Sequence, residues 1–250
     1  MEDSPRTGEC WGNSMIWSIS MQTSIPRPHI LFIDGLPGSG KSMAAEAVGG
    51  YFSNSRVFFE TAPNHPLLVA APDPMGAAFA DIHKVHSGDS FAAVALRRLE
   101  SFLESAGCDV LYVFESHPLQ STVRVLFQLN APQTTILQFW SDLQDRLAFV
   151  QPQLIYLQES NPLQAVKEIA RMRGPTWESY LIEALKQSPW MQARALSGAE
   201  GAYQMLVEYA DLIDQLANLW RFPILKLPAR PENYGARIDA MTKWVTAPAT

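Results

Sequence analysis

Cysteine is scarce in this chain, positive charge is outnumbered and no long apolar run is present, and each shortage removes a class of protein. The two cysteines, Cys10 and Cys108, stand far apart with no metal-ligand spacing, whereas disulfide-built domains use cysteines in sets. Lys and Arg number 19 against 25 Asp and Glu, a formal net charge of −6. Gripping a phosphate backbone needs clustered cations, so a nucleic-acid partner is not expected. No apolar run approaches the roughly 20 residues that cross a bilayer, and Glu2 and Asp3 stand where a secretion signal carries cations. The expectation is a cytoplasmic protein without membrane contact. Apolar residues make up 47% of the 250 residues, enough material to bury one sizeable α/β core.

What is present is punctuation. Short apolar runs that read as buried strands fall at His29–Asp34, Arg56–Glu60, Val110–Glu115, Gln153–Leu157 and Phe222–Leu227. Between them lie helical stripes: Phe91, Val94, Ala95, Leu99, Phe102 and Leu103, stopped by Gly107; Ile136, Phe139, Trp140, Leu143 and Leu147, closed by Pro152; and Leu206, Tyr209, Ile213, Leu216 and Trp220. Alternation of this kind predicts a five-stranded parallel sheet covered on both faces, with any ligand beyond the carboxyl ends of the strands. Residues 1–26 read as an N-terminal extension, with Trp11, Met15 and Trp17 packed on the domain or mobile, and 27–250 as one domain.

At the end of the first strand, Gly35-Leu36-Pro37-Gly38-Ser39-Gly40-Lys41-Ser42 fits the Walker A pattern G-x-x-x-x-G-K-[ST] in full. A chance match in a chain of this length is on the order of one in a hundred, and this one follows a strand and opens a helix. The glycines let successive N–H groups curl around phosphate oxygens at the positive end of the helix. Lys41 is expected to reach the β- and γ-phosphates and the Ser42 hydroxyl to ligate magnesium. That makes ATP with Mg2+ the expected cofactor pair.

No guanine-reading N-K-x-D is present. Leu196-Ser197-Gly198-Ala199-Glu200 looks like a transporter-ATPase signature but lacks the acidic strand that should follow, and reads instead as a helix start capped by Ser197. The P-loop, the carboxylates Glu60 and Glu115 closing the second and third strands, and Arg171 and Arg173 before Gly174-Pro175 together resemble the deoxynucleoside kinase and thymidylate kinase group, and the similar chloramphenicol-type phosphotransferases.

The resemblance implies a three-layer α/β/α P-loop NTPase fold with a helical lid near 160–200. The implied activity is an ATP-dependent kinase, a transferase of the γ-phosphate to a hydroxyl of a small molecule. It places the general base on Glu60, with Glu115 acting through water on magnesium or itself as the base. Arg171 and Arg173 are expected to close over the phosphates. Glu115-Ser116-His117 lacks the arginine of the family's acid-Arg-Ser triplet, which favours a secondary metabolite or antibiotic over a nucleoside as acceptor.

His65, just past Glu60, and Gln120 are candidate acceptor contacts; the bland readings are a loop histidine facing water and a solvated helix residue. His83 and His86 make an H-x-x-H pair with no cysteine nearby, and zinc is not expected there. The rival class is a P-loop ATPase or nucleotide-binding regulator acting on a partner protein. The sequence leaves oligomeric state open, a homodimer included.

Overall fold

The computed structural model describes residues 28–69, 87–230 and 232–247. The N-terminal extension, His83 and His86 lie outside them. Five strands form one sheet: β1 (His29–Gly35), β2 (Ser55–Phe58), β3 (Leu111–Glu115), β4 (Gln153–Gln158) and β5 (Ile224–Pro228), in the order β2-β3-β1-β4-β5, every pair parallel. All five expected strands are present, with boundaries moved by up to two residues. Parallel pairing puts every carboxyl end on one edge. Because the chain steps from β1 across β3 to β2 and later returns past β1 to β4, the crevice at that edge opens beside the end of β1.

The period-two pleat sends alternate residues of the central strands to opposite faces. Ile30, Phe32, Tyr112, Phe114, Leu154 and Tyr156 meet one helical layer, made by α2 (Gly88–Ser105), α4 (Gln133–Leu147) and α8 (Gly198–Asn218). Leu31, Ile33, Val113, Ile155 and Leu157 meet the other, made by α1 (Lys41–Tyr51) and α9 (Tyr234–Thr246), through Ala44, Ala45, Val48 and Met241. This is a three-layer α/β/α fold with a P-loop at the end of its first strand. The small side chains of α1 let the helix that follows the P-loop lie close against the sheet.

Phe114 is the hub of the first layer. Its ring stacks on Phe58 at 5.2 Å, meets Phe102 edge-on at 5.2 Å and lies 5.8 Å from Phe32, with no exposed surface. Phe114→Ala is expected to cost about 3–5 kcal/mol, a fall in melting temperature of about 10 °C for a chain of this length, readable by calorimetry.

Between the third and fourth strands, a π-turn (Leu119–Val123) runs into α3 (Arg124–Gln128). Beyond β4, α5 (Pro162–Arg173) begins at Asn161, whose side chain accepts from the Gln164 N–H at 3.1 Å. It ends at Gly174, in the left-handed region at φ 83°, where α6 (Pro175–Lys186) starts in a new direction. A short α7 (Pro189–Ala193) follows. Ser197 does precede α8, but its side chain makes no capping hydrogen bond, contrary to the capping role read from the sequence. Among the described residues no helix is long and apolar enough to cross a membrane.

Candidate functional site

The P-loop turns where the sequence places it. Gly38 and Gly40 have φ of 77° and 88°, a region L side chains rarely enter. Space forbids a side chain as well: a Cβ on Gly38 would lie 2.2 Å from Ile169 Cδ1 of α5, and one on Gly40 would lie 2.8 Å from a guanidinium nitrogen of Arg237 on α9. The loop is therefore wedged between two helices, its backbone free to line the cradle. Gly38→Val is expected to abolish nucleotide binding while displacing Ile169, and comparing isothermal titration with melting curves separates the two effects.

Lys41 folds back into this cradle. Its ammonium donates to Leu36 O at 2.8 Å and to Gln120 Oε1 at 2.7 Å, and the residue is buried. Burial pushes the Lys41 amine below its ordinary range, opposed by the nearby negative charges of Asp34, Glu115 and Glu60. Ser42 Oγ donates to Glu115 Oε1 at 3.0 Å.

Glu115 ends β3 directly across from Ile33 of β1, which is why its carboxylate reaches the P-loop. Its Oε1 also accepts from Ser116 Oγ at 2.7 Å, and its Oε2 accepts the Glu60 N–H at 2.9 Å. Ser116 holds φ at 61°, a strained backbone that persists at built sites. Glu60, two residues past β2, accepts from Gln120 Nε2 at 2.8 Å through Oε2 and from the Arg124 guanidinium at 3.2 Å through Oε1. The structure thus brings Lys41, Ser42, Glu60, Glu115 and Gln120 into one hydrogen-bonded cluster. Gln120 is buried rather than solvated, because the π-turn tucks it inward, and both ends of its amide are engaged within the cluster.

Three further groups in or against this cluster were not singled out from the sequence. Asp34, the last side chain of β1, is fully buried and accepts N–H bonds from Gly35 at 2.8 Å, Leu119 at 2.6 Å and Gln120 at 3.2 Å. Burial raises its carboxyl to about 7, despite the charge of Lys41 and these donors pulling it down. Arg124 supplies a cation beside Glu60, four residues past Gln120, partly meeting the absence of an arginine after Glu115. Arg237 donates to Ser39 O at 3.4 Å and Ala229 O at 2.8 Å and braces the loop from behind. The signals were present as an acid abutting the first P-loop glycine and as an i, i+4 Gln–Arg pair.

The Asp34 shift has a measurable consequence. An acid held near 7 in the fold and at 3.8 when unfolded keeps, between those values, a proton that unfolding releases. Stability therefore falls as pH rises from about 4 to about 7, by up to about 1.4 kcal/mol per unit. Asp34→Asn should flatten that slope relative to the wild type, read as chemical denaturation midpoints at pH 5 and pH 7.5.

The remaining candidates sit apart. His65 is buried, not facing water: its Nδ1 accepts the Leu67 N–H at 3.2 Å, its ring lies 5.8 Å from Phe58 and 6.0 Å from His117, and burial lowers it to about 4. Its Nε2 is buried without a partner. Arg171 and Arg173 are exposed at the end of α5, with the Arg173 guanidinium 5.2 Å from the Trp177 ring. Among the described residues neither bonds to the Lys41 cluster. The α5 helix is anchored instead through Arg230, which donates to Glu159 at 2.9 Å and pairs with Glu168.

The residues present fit a magnesium nucleotide. The glycine turn presents main-chain amides, Lys41 is a buried cation within reach, Ser39 Oγ is buried without a partner, and Ser42 with Glu115 forms the hydroxyl and carboxylate pair that a hard cation takes. No family model matches the chain, and no curated relative does. Among solved structures it is similar to the thymidylate kinase of Candida albicans, with 15% identity, TM-score 0.41 and coverage of 88% of this chain and 89% of that one. It is also similar to the protein APE1195, with 11% identity, TM-score 0.42 and coverage of 91% and 100%. Both overlaps are loose.

Proposed function

We propose that the protein is an ATP-dependent kinase that transfers the γ-phosphate to a hydroxyl of a small molecule. The observation that carries this reading is the joining of a buried P-loop lysine and serine to carboxylates from two separate strand ends in one network. A site that only held nucleotide would have no use for Glu60, which neither touches Ser42 nor forms part of the loop.

Lys41 would hold the β- and γ-phosphates. Magnesium bound between Ser42 and the Glu115 side would neutralise charge on the same oxygens. The acceptor hydroxyl oxygen bonds to the γ-phosphorus as the bond to the β–γ bridging oxygen breaks; the hydroxyl proton passes to Glu60, and ADP leaves. Positioning supplies most of the rate in such a transfer, which suits a network this tightly braced. Arg171 and Arg173 belong to a lid over residues 160–200 that brings its cations to the phosphates on closure. The missing arginine after Glu115 favours a metabolite-like or antibiotic-like acceptor over a nucleoside.

The test is transfer of labelled γ-phosphate from ATP to a panel of nucleosides, nucleotides and hydroxylated metabolites. Label appearing on one acceptor class, dependent on Mg2+, is the expected result. Hydrolysis that no acceptor stimulates would instead support the ATPase reading.

A further inference from the structure

The amide of Gln120 joins the P-loop lysine to the carboxylate that ends the second strand segment, bonding Lys41 at one end and Glu60 at the other. Its polarity is chemically forced. An ammonium offers only donors and a carboxylate only acceptors, so Oε1 must face Lys41, at 2.7 Å, and Nε2 must face Glu60, at 2.8 Å. The backbone beneath it is pinned, because the Gln120 N–H is bonded to Asp34 and its carbonyl accepts from Arg124 Nε at 3.0 Å. Only the side chain is left to move.

We infer that Gln120 is a positioning residue: the arrival of a triphosphate at Lys41 takes the ammonium from its amide, and the released amide frees Glu60 Oε2 for the acceptor hydroxyl. This rests on the nucleotide-binding reading of the P-loop and extends it to an order of events, donor before acceptor. Lys41 already spends one donor on Leu36 O and a second on Gln120. Phosphate oxygens carry full negative charge, and a charge-assisted bond to them outcompetes one to a neutral amide.

Once Lys41 leaves, Gln120 Oε1 has lost its cation and a single hydrogen bond, to Glu60, is left to hold the amide in place. Glu60 stays tethered through Oε1 by Arg124, while Oε2, which had been occupied by Gln120, opens. The two sites are thereby coupled, and linkage makes the coupling reciprocal.

The experiment uses the full chain, the Mg2+ complex of a non-hydrolysable ATP analogue, and carboxyl carbon-13 labelling of glutamate, with the Glu60 signal assigned by its loss in Glu60→Gln. In the wild type the Glu60 signal should move as the analogue saturates. In Gln120→Met, which keeps length and removes both hydrogen bonds, the analogue should bind about tenfold tighter, since Lys41 no longer has to leave a partner. The movement of the Glu60 signal should fall by more than half. A residue serving only to support the fold would instead weaken binding.

A wild-type signal that stays still on saturation overturns the inference while leaving nucleotide binding intact, and that measurement needs no variant to fold. So does a Gln120→Met variant that binds no tighter, or whose Glu60 signal moves undiminished. Absence of any analogue binding by the folded wild type overturns the nucleotide reading itself, and this inference with it.

Discussion

Lys41→Met is expected to lower phosphoryl transfer by about 10²–10³-fold or more and to erase the rise in melting temperature that a magnesium nucleotide gives the wild type. The size follows from where the ammonium lies. It is buried, its charge is felt by Asp34, and three carboxylates lie close enough to oppose the cost of burying it. Methionine keeps the length and the packing but withdraws the one positive charge that the P-loop itself supplies.

The same substitution acts on the apo protein. Without Lys41, the charge that pulls the Asp34 carboxyl down is gone, so Asp34 moves further above its ordinary range. The wild-type loss of stability between about pH 4 and pH 7 should then extend to higher pH. A Lys41→Met protein that transfers phosphate at the wild-type rate would remove the basis for the proposed activity. Melting curves across pH, run alongside the radiolabel assay, show whether the fold has survived.

Much of this was legible in the chain because the relevant signals are local. HILFID followed by a glycine turn reads as a buried strand entering a phosphate loop, and Asn161-Pro162 with Gly174-Pro175 brackets α5 at both ends as capping chemistry requires. What was not legible is set by tertiary approach. Glu115 reaches Ser42 because β3 lies beside β1 in the sheet, an adjacency that strand order along the sequence does not disclose.

Gln120 sat on a stretch that reads as ordinary helix. The π-turn, with Val123 N–H bonded to Pro118 O, rotates it inward to Lys41, and no periodicity announces such a turn. Burial of His65 depends on the rings of Phe58 and Phe114 meeting across two strands. Asp34 was visible as a residue but not as a buried acid, since only the fold shows that Leu119 and Gln120 bring their amides to it.

The two strand-end acids should separate by their free lone pairs. Glu115 accepts three hydrogen bonds, from Ser42 and Ser116 on one oxygen and from the Glu60 amide on the other, and it is buried. Glu60 carries one donor on each oxygen and keeps 20% of its side chain exposed, so a hydroxyl can approach it. Glu60→Gln should therefore reduce kcat by about 10²–10⁴-fold while leaving the affinity for the magnesium nucleotide within about threefold. Glu115→Gln should instead raise the Mg2+ concentration needed for half-maximal rate by about tenfold, because an amide holds a hard cation or its water less well than a carboxylate does, with much of the rate recovered at saturating metal. The measurement is kcat against Mg2+ concentration for both variants. A Glu60→Gln enzyme that loses less than tenfold, beside a Glu115→Gln enzyme that no amount of metal rescues, would move the base from the second strand to the third. The geometry argues for the first outcome, since Glu115 is buried and already accepts three hydrogen bonds, whereas Glu60 accepts two and is partly exposed.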